Sequence, residues 1–113
     1  MPHFVIDYSA ELEHRVNPRE LISQTFRAAV QCELFNEPAV KVRARSFAYH
    51  QSGGGHKDFV NVTIHLLAGR TAEQKKDLTH RVLDQLQALD IRDVSLTVQI
   101  YDMETESYAK AVN

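Results

Sequence analysis

Pro2, the pair Arg43 and Arg45, and Arg70 are the residues of this chain whose type and placing suit them to moving a proton or holding an anion. The chain opens MPHFVIDYS. An initiator methionine followed by proline is usually trimmed, and trimming would leave Pro2 with a free secondary amine. A peptide α-amino group titrates at ~7.7–8.0, and a secondary amine is intrinsically more basic. Burial or nearby guanidinium groups disfavour the cation and lower that value. An amine that is neutral near pH 7 can take a proton from an enol or a carbon and return it. Taken alone, Met-Pro is a weak signal.

Arg43 and Arg45 stand two apart in VKVRARSFAY, so on a strand they share a face with Lys41, Phe47 and Tyr49. Like charges side by side cost free energy unless an anion offsets them. Arg70 falls between a strand end and a helix start, where unpaired backbone N–H groups and the helix dipole favour anions. A guanidinium there suits bidentate capture of a carboxylate. For each arginine singly, a surface ion pair with one of the 15 acidic residues is the plainer assignment.

These residues need a scaffold, and hydrophobic spacing supplies one. His3 to Tyr8 reads as a strand. Asn17-Pro18-Arg19-Glu20 opens a helix with Asn as cap and Pro in the first turn, followed by Ile22, Phe26, Ala29 and Val30 and fading near Leu34. Val40 to Tyr49 and Phe59 to Ala68 alternate as strands, separated by the loop Ser52-Gly53-Gly54-Gly55. Thr71 and Gln74 form a capping box before a helix buried through Leu78, Val82, Leu86 and Leu89. Val94 to Tyr101 is the last strand, and the tail METESYAKAVN is polar. The order is β-α-β twice, with pseudo-repeats at about 1–55 and 56–113. Each crossover helix implies parallel strands with a right-handed connection. The fold class is therefore α+β: a tandem β-α-β repeat forming one four-stranded mixed sheet with two helices on one face. The other sheet face, with Ser95, Thr97, Gln99 and Tyr101, suits a subunit interface.

Composition narrows the classes. A chain of 113 residues is one domain by length. A net charge of -2 gives no electrostatic case for nucleic acid or anionic membrane. No apolar run approaches the ~20 residues of a membrane span, and no secretion signal is visible, so a cytoplasmic location is expected. The single cysteine, Cys32, reads as a packed, inert thiol of a reducing compartment. His50 and His56 flank the glycine loop without a third ligand at recognisable spacing, so they read as solvated and no metal is expected.

The segments MPHFVIDYS, VKVRARSF, DFVNVTIHLLAGRTAEQKKDL and VQIYDMETESYAK together resemble the 5-carboxymethyl-2-hydroxymuconate isomerase family of the tautomerase superfamily, over nearly the whole chain. The resemblance implies that Pro2, once exposed by loss of Met1, is the acid–base group. It implies that Arg43 and Arg70 bind substrate carboxylates, with Arg45 two residues beyond Arg43. It further implies a homotrimer, no cofactor, and a small anionic dienol or keto-acid substrate from the breakdown of homoprotocatechuate, an aromatic acid. The reaction would move a double bond in a 2-hydroxydienoate. Two other readings stand beside it: a non-catalytic ligand-binding or assembly module, and another proline-dependent enzyme of the superfamily, such as a dehalogenase or hydratase.

Overall fold

The computed structural model describes all 113 residues. Alternating side chains in HFVIDYS form β1 (His3–Ser9). Asn17 caps α1 (Pro18–Gln31), its Oδ1 accepting from the Arg19 N–H at 2.9 Å, and Pro18 occupies the first turn, where an N–H would have no partner. The helix ends at Cys32, and Glu33 adopts φ 61° to turn the chain, slightly before the expected fade at Leu34. A short 3-10 turn at Glu37–Ala39 leads into β2 (Lys41–Phe47), and β3 follows the glycine loop (Asp58–Leu67). Gly69, at φ 121°, makes the turn that aims the chain at α2 (Ala72–Gln87). Both bonds of the expected capping box are present: Gln74 N–H donates to Thr71 Oγ1 at 3.1 Å, and Thr71 N–H donates to Gln74 Oε1 at 2.9 Å. The last strand is β4 (Val94–Met103).

The sheet runs β2-β1-β3-β4. β1 is parallel to β2 and β3 to β4, while β1 and β3 pair antiparallel at the centre. Each half is thus a β-α-β unit, and two of them joined back to back give the mixed sheet that the sequence implies. Register sets Phe4 between Val42 and Ile64, and Ile6 between Ala44 and Val62. These side chains face the helices and are sealed by Leu21 and Ala28 of α1 and by Leu78, Val82 and Leu86 of α2.

Two details depart from the spacing argument. The deepest residues of α1 are Leu21, Thr25, Ala28 and Ala29, whereas Ile22 and Phe26 are only partly buried. Small side chains at 25, 28 and 29 let α1 approach α2 and β2 closely, and the larger apolar groups flank that contact. The second departure is at β2, which stops at Phe47. Tyr49 is 96% exposed and does not continue the apolar wall expected beyond the arginines.

The opposite sheet face carries His3, Val5 and Asp7 from β1 and their neighbours on β2, β3 and β4. Thr97 Oγ1 donates to Asn61 Oδ1 at 2.6 Å, and Gln99 Nε2 donates to Thr63 Oγ1 at 3.3 Å, forming a polar ladder across β3 and β4.

Candidate active site

The start of the chain borders two cavities. Pro2 is buried, and its carbonyl accepts from the Lys41 N–H at 3.1 Å, which extends the β1–β2 ladder by one rung. The Met1 ammonium donates to the Ala39 carbonyl at 3.0 Å. Two cavities meet at Met1. One, of about 510 Å³, is lined by Met1, His3, Pro38, Lys41, Tyr108 and tail residues 109–112. The other, of about 260 Å³, is lined by Met1, Leu34, Phe35, Ala39 and Arg70 among others.

The Met1 ammonium titrates below its ordinary 8.0. Removal from water is the largest cause, followed by the charges of Lys110 and Lys41. The cations that depress the Met1 ammonium are lysines; the expectation from sequence concerned the Pro2 amine, which exists only once Met1 is removed. Lys41 begins the alternating basic face, yet one lysine among three basic groups gives no sign that it turns toward the chain start. Lys110 lies in the polar tail and carries no sequence signal, since its position depends on how the tail folds back.

Arg70 lies beside Met1 in the smaller cavity. Its Nη2 donates to the Leu34 carbonyl at 2.9 Å, and its guanidinium sits 5.5 Å from the centre of the Phe35 ring. These contacts fix the plane of the group, as bidentate recognition requires. The adjoining Thr71 and Gln74 N–H groups are already occupied by the capping box. An anion at this helix start would be held by the guanidinium more than by those amides.

Arg43 and Arg45 lie on the open sheet face and line neither cavity at Met1. Arg43 Nη1 approaches His3 Nδ1 at 3.2 Å. Arg45 Nε pairs with Asp7 Oδ1 at 2.6 Å, and its guanidinium lies 5.6 Å from the Phe47 ring centre. His3 connects Arg43 to the larger cavity through Tyr108, whose hydroxyl is 3.2 Å from His3 Nε2. Neither His3 nor Tyr108 stands out in the sequence as chemistry, although both fall inside segments that carry the family resemblance.

Other side chains have structural duties. Cys32 donates to the Ala29 carbonyl, and burial pushes its thiol pKa up, as befits a packed, unreactive group. His50 is not a solvated loop residue: it packs edge-on to Phe59, with ring centres 5.4 Å apart, and lies 3.4 Å from Glu11. His56 is exposed. No three His, Cys, Asp or Glu side chains converge as a metal site requires. No helix is long and apolar enough to cross a membrane.

Comparison with known proteins places this geometry. A family model described as 5-carboxymethyl-2-hydroxymuconate isomerase matches residues 2–113. A crystal structure of a 5-carboxymethyl-2-hydroxymuconate delta-isomerase superposes with a TM-score of 0.86 at 19% identity, over 100% of this chain and 89% of that one. A 5-carboxymethyl-2-hydroxymuconate isomerase from Deinococcus radiodurans R1 gives 0.83 at 20% identity, over 99% and 90% of the two chains. A fused 4-OT described as a symmetric trimer gives 0.74 at 16% identity, over 96% and 93%. No curated protein sequence matches the chain. The chain belongs to the 5-carboxymethyl-2-hydroxymuconate isomerase family, isomerases of the tautomerase superfamily.

Proposed function

We propose that the protein shifts a double bond in a carboxylated 2-hydroxydienoate of the 5-carboxymethyl-2-hydroxymuconate type, with the Pro2 nitrogen as acid and base after Met1 is removed. The observation that carries this reading is the setting of the chain's first amine. It borders two cavities, is partly withdrawn from water, and feels two lysine charges that lower its pKa. Loss of Met1 moves the terminal nitrogen by one residue, onto a proline that is itself buried.

In its neutral form that nitrogen takes the 2-hydroxyl proton, leaving a dienolate, and then returns a proton to a distant carbon. The product is the conjugated 2-oxo-enoate, an isomer of the substrate, so atoms and electrons balance without a cofactor. Arg70 grips one carboxylate in the smaller cavity. Arg43 uses one guanidinium nitrogen on His3 and offers the others to a second carboxylate. Arg45 already serves Asp7 through Nε, so any substrate contact from it uses its two remaining nitrogens. The protein works as a homotrimer, which covers the open sheet face; related folds that assemble as trimers support this.

Two measurements test the reading. Intact mass of the purified protein should lack Met1. Ketonisation of 5-carboxymethyl-2-hydroxymuconate, followed by ultraviolet absorbance, should lose most of its rate in Pro2→Ala, whose amine is primary and more mobile. Wild-type turnover by Pro2→Ala would overturn the proposal.

A further inference from the structure

The His3 ring is held between two partners on opposite sides, and their chemistry fixes the direction of both contacts. Arg43 Nη1 lies 3.2 Å from Nδ1. A guanidinium has only donors, so Nδ1 must accept and carry no proton. A neutral imidazole then bears its one N–H at Nε2, which faces the Tyr108 hydroxyl at 3.2 Å. That hydroxyl is therefore an acceptor toward His3, and its own proton must point elsewhere.

The surroundings keep His3 neutral. Burial is the largest effect lowering its pKa, followed by the charges of Arg43, the chain's first amine, Lys41 and His65, the last standing opposite on β3. Tyr108 is half-buried and lines the 510 Å³ cavity together with Met1, His3, Lys41 and Lys110. Its hydroxyl donates to no protein group, so its free proton is available to a molecule in that cavity.

We propose that Tyr108 is a catalytic hydrogen-bond donor to the substrate oxygen that becomes negative in the dienolate, and that His3 and Arg43 are positioning residues that orient it. The Tyr108 proton is not transferred; it stabilises charge while the Pro2 nitrogen carries the migrating proton. The inference rests on the function proposed above, and goes beyond it by naming a neutral donor and the relay that aims it.

The test uses the full-length trimmed protein with 5-carboxymethyl-2-hydroxymuconate as probe. Tyr108→Phe should lower kcat by about 10²-fold with little change in KM, the pattern of a contact made mainly in the transition state. His3→Leu should lose a similar factor. His3→Gln should recover most of it, because one amide can accept from Arg43 and donate to Tyr108. The double variant Tyr108→Phe, His3→Leu should be no slower than Tyr108→Phe alone. Long-range proton–nitrogen NMR should find the Nε2–H tautomer of His3 at neutral pH, and this readout needs no turnover. An Nδ1–H tautomer, an unchanged kcat in Tyr108→Phe, or additive losses in the double variant would each overturn the relay. Where Pro2→Ala is slow and Tyr108→Phe is not, the relay fails and the proline reading survives. Where Pro2→Ala turns over at the wild-type rate, both fail.

Discussion

A lysine from the tail and another from the second strand converge on the chain's first nitrogen, and this contact has a measurable signature. Burial, Lys110 and Lys41 all lower the pKa of the Met1 ammonium; on the proposed function the Pro2 amine takes that place once Met1 is lost, and the same lysine charges should favour its neutral form. The acid limb of kcat/KM should have its midpoint below that of an N-terminal proline in a free peptide, with activity rising as pH climbs through it. Lys110→Ala removes one of those charges and should move the midpoint upward; an unmoved profile would separate the lysine from the base. His3 gives a related effect on stability. Its folded pKa lies below the usual 6.5, so near that pH the unfolded chain binds more protons, and stability should fall as pH drops below 6.5. Arg70 is assigned a charged hydrogen bond of about 1.5–3 kcal/mol to a carboxylate. Arg70→Ala should therefore raise KM for dicarboxylates by roughly 10–100-fold, and an unchanged KM would remove Arg70 from the clamp.

Between elements, the most exacting polar contact lies at the opposite end of β1. Ser9 is fully buried, its Oγ donates to Asp58 Oδ1 at 2.8 Å, and it accepts from the Phe59 N–H at 3.1 Å. Arg15 closes the group with a 2.6 Å contact to Asp58 Oδ2. Ser9→Ala strands the Phe59 amide and should cost about 1–3 kcal/mol in urea unfolding. Burial pushes the Asp58 carboxyl up, but the hydrogen bonds from Ser9 and Arg15 and the Arg15 charge outweigh it, leaving the net pKa below 3.8. That contribution to stability is present above 3.8 and is lost as pH falls through the lowered value, and Ser9→Ala should blunt the loss. Thr71→Ala removes half of a reciprocal cap and should cost about 1 kcal/mol. Elements of this kind were plain in the sequence because their signals are local: Asn17-Pro18, Thr71 with Gln74, and the alternation through Val60, Val62, Ile64 and Leu66. The inward stripe of α1 was legible only at Ala29: Leu21 is passed over for Ile22 beside it, and Thr25 and Ala28 are buried for their small size although hydropathy ranks them below Ile22 and Phe26.

At the scale of the molecule, the polar ladder of Asn61, Thr63, Thr97 and Gln99 faces outward from the sheet of one chain. If three chains close over it, sedimentation should report three chain masses. Thr63→Glu would bury an unpaired carboxylate in the assembly and should release monomers that keep their circular dichroism. A wild-type monomer at micromolar concentration would contradict the trimer. The candidate site was legible in the same uneven way. Pro2 and Arg70 come from separate segments, and the structure brings Arg70 to the cavity beside the chain start. Lys110 and Tyr108 reach it only because the tail folds back onto His3, a long-range event that no local pattern encodes. Arg43 shares a strand face with Arg45, as alternation requires, but its partner His3 lies on the neighbouring strand and could be found only through register.

The pairing of β1 with β3 has a last consequence for counting. The two strands occupy matching places in the repeated unit, yet only β1 starts at a chain end; β3 follows Lys57 through an ordinary peptide bond, whose nitrogen has no basicity. The β-α-β unit thus occurs twice, while on the proposed function the acid–base amine occurs once. An irreversible alkylating probe selective for secondary amines should saturate at a single adduct per polypeptide, and that stoichiometry can be read directly from a mass spectrum.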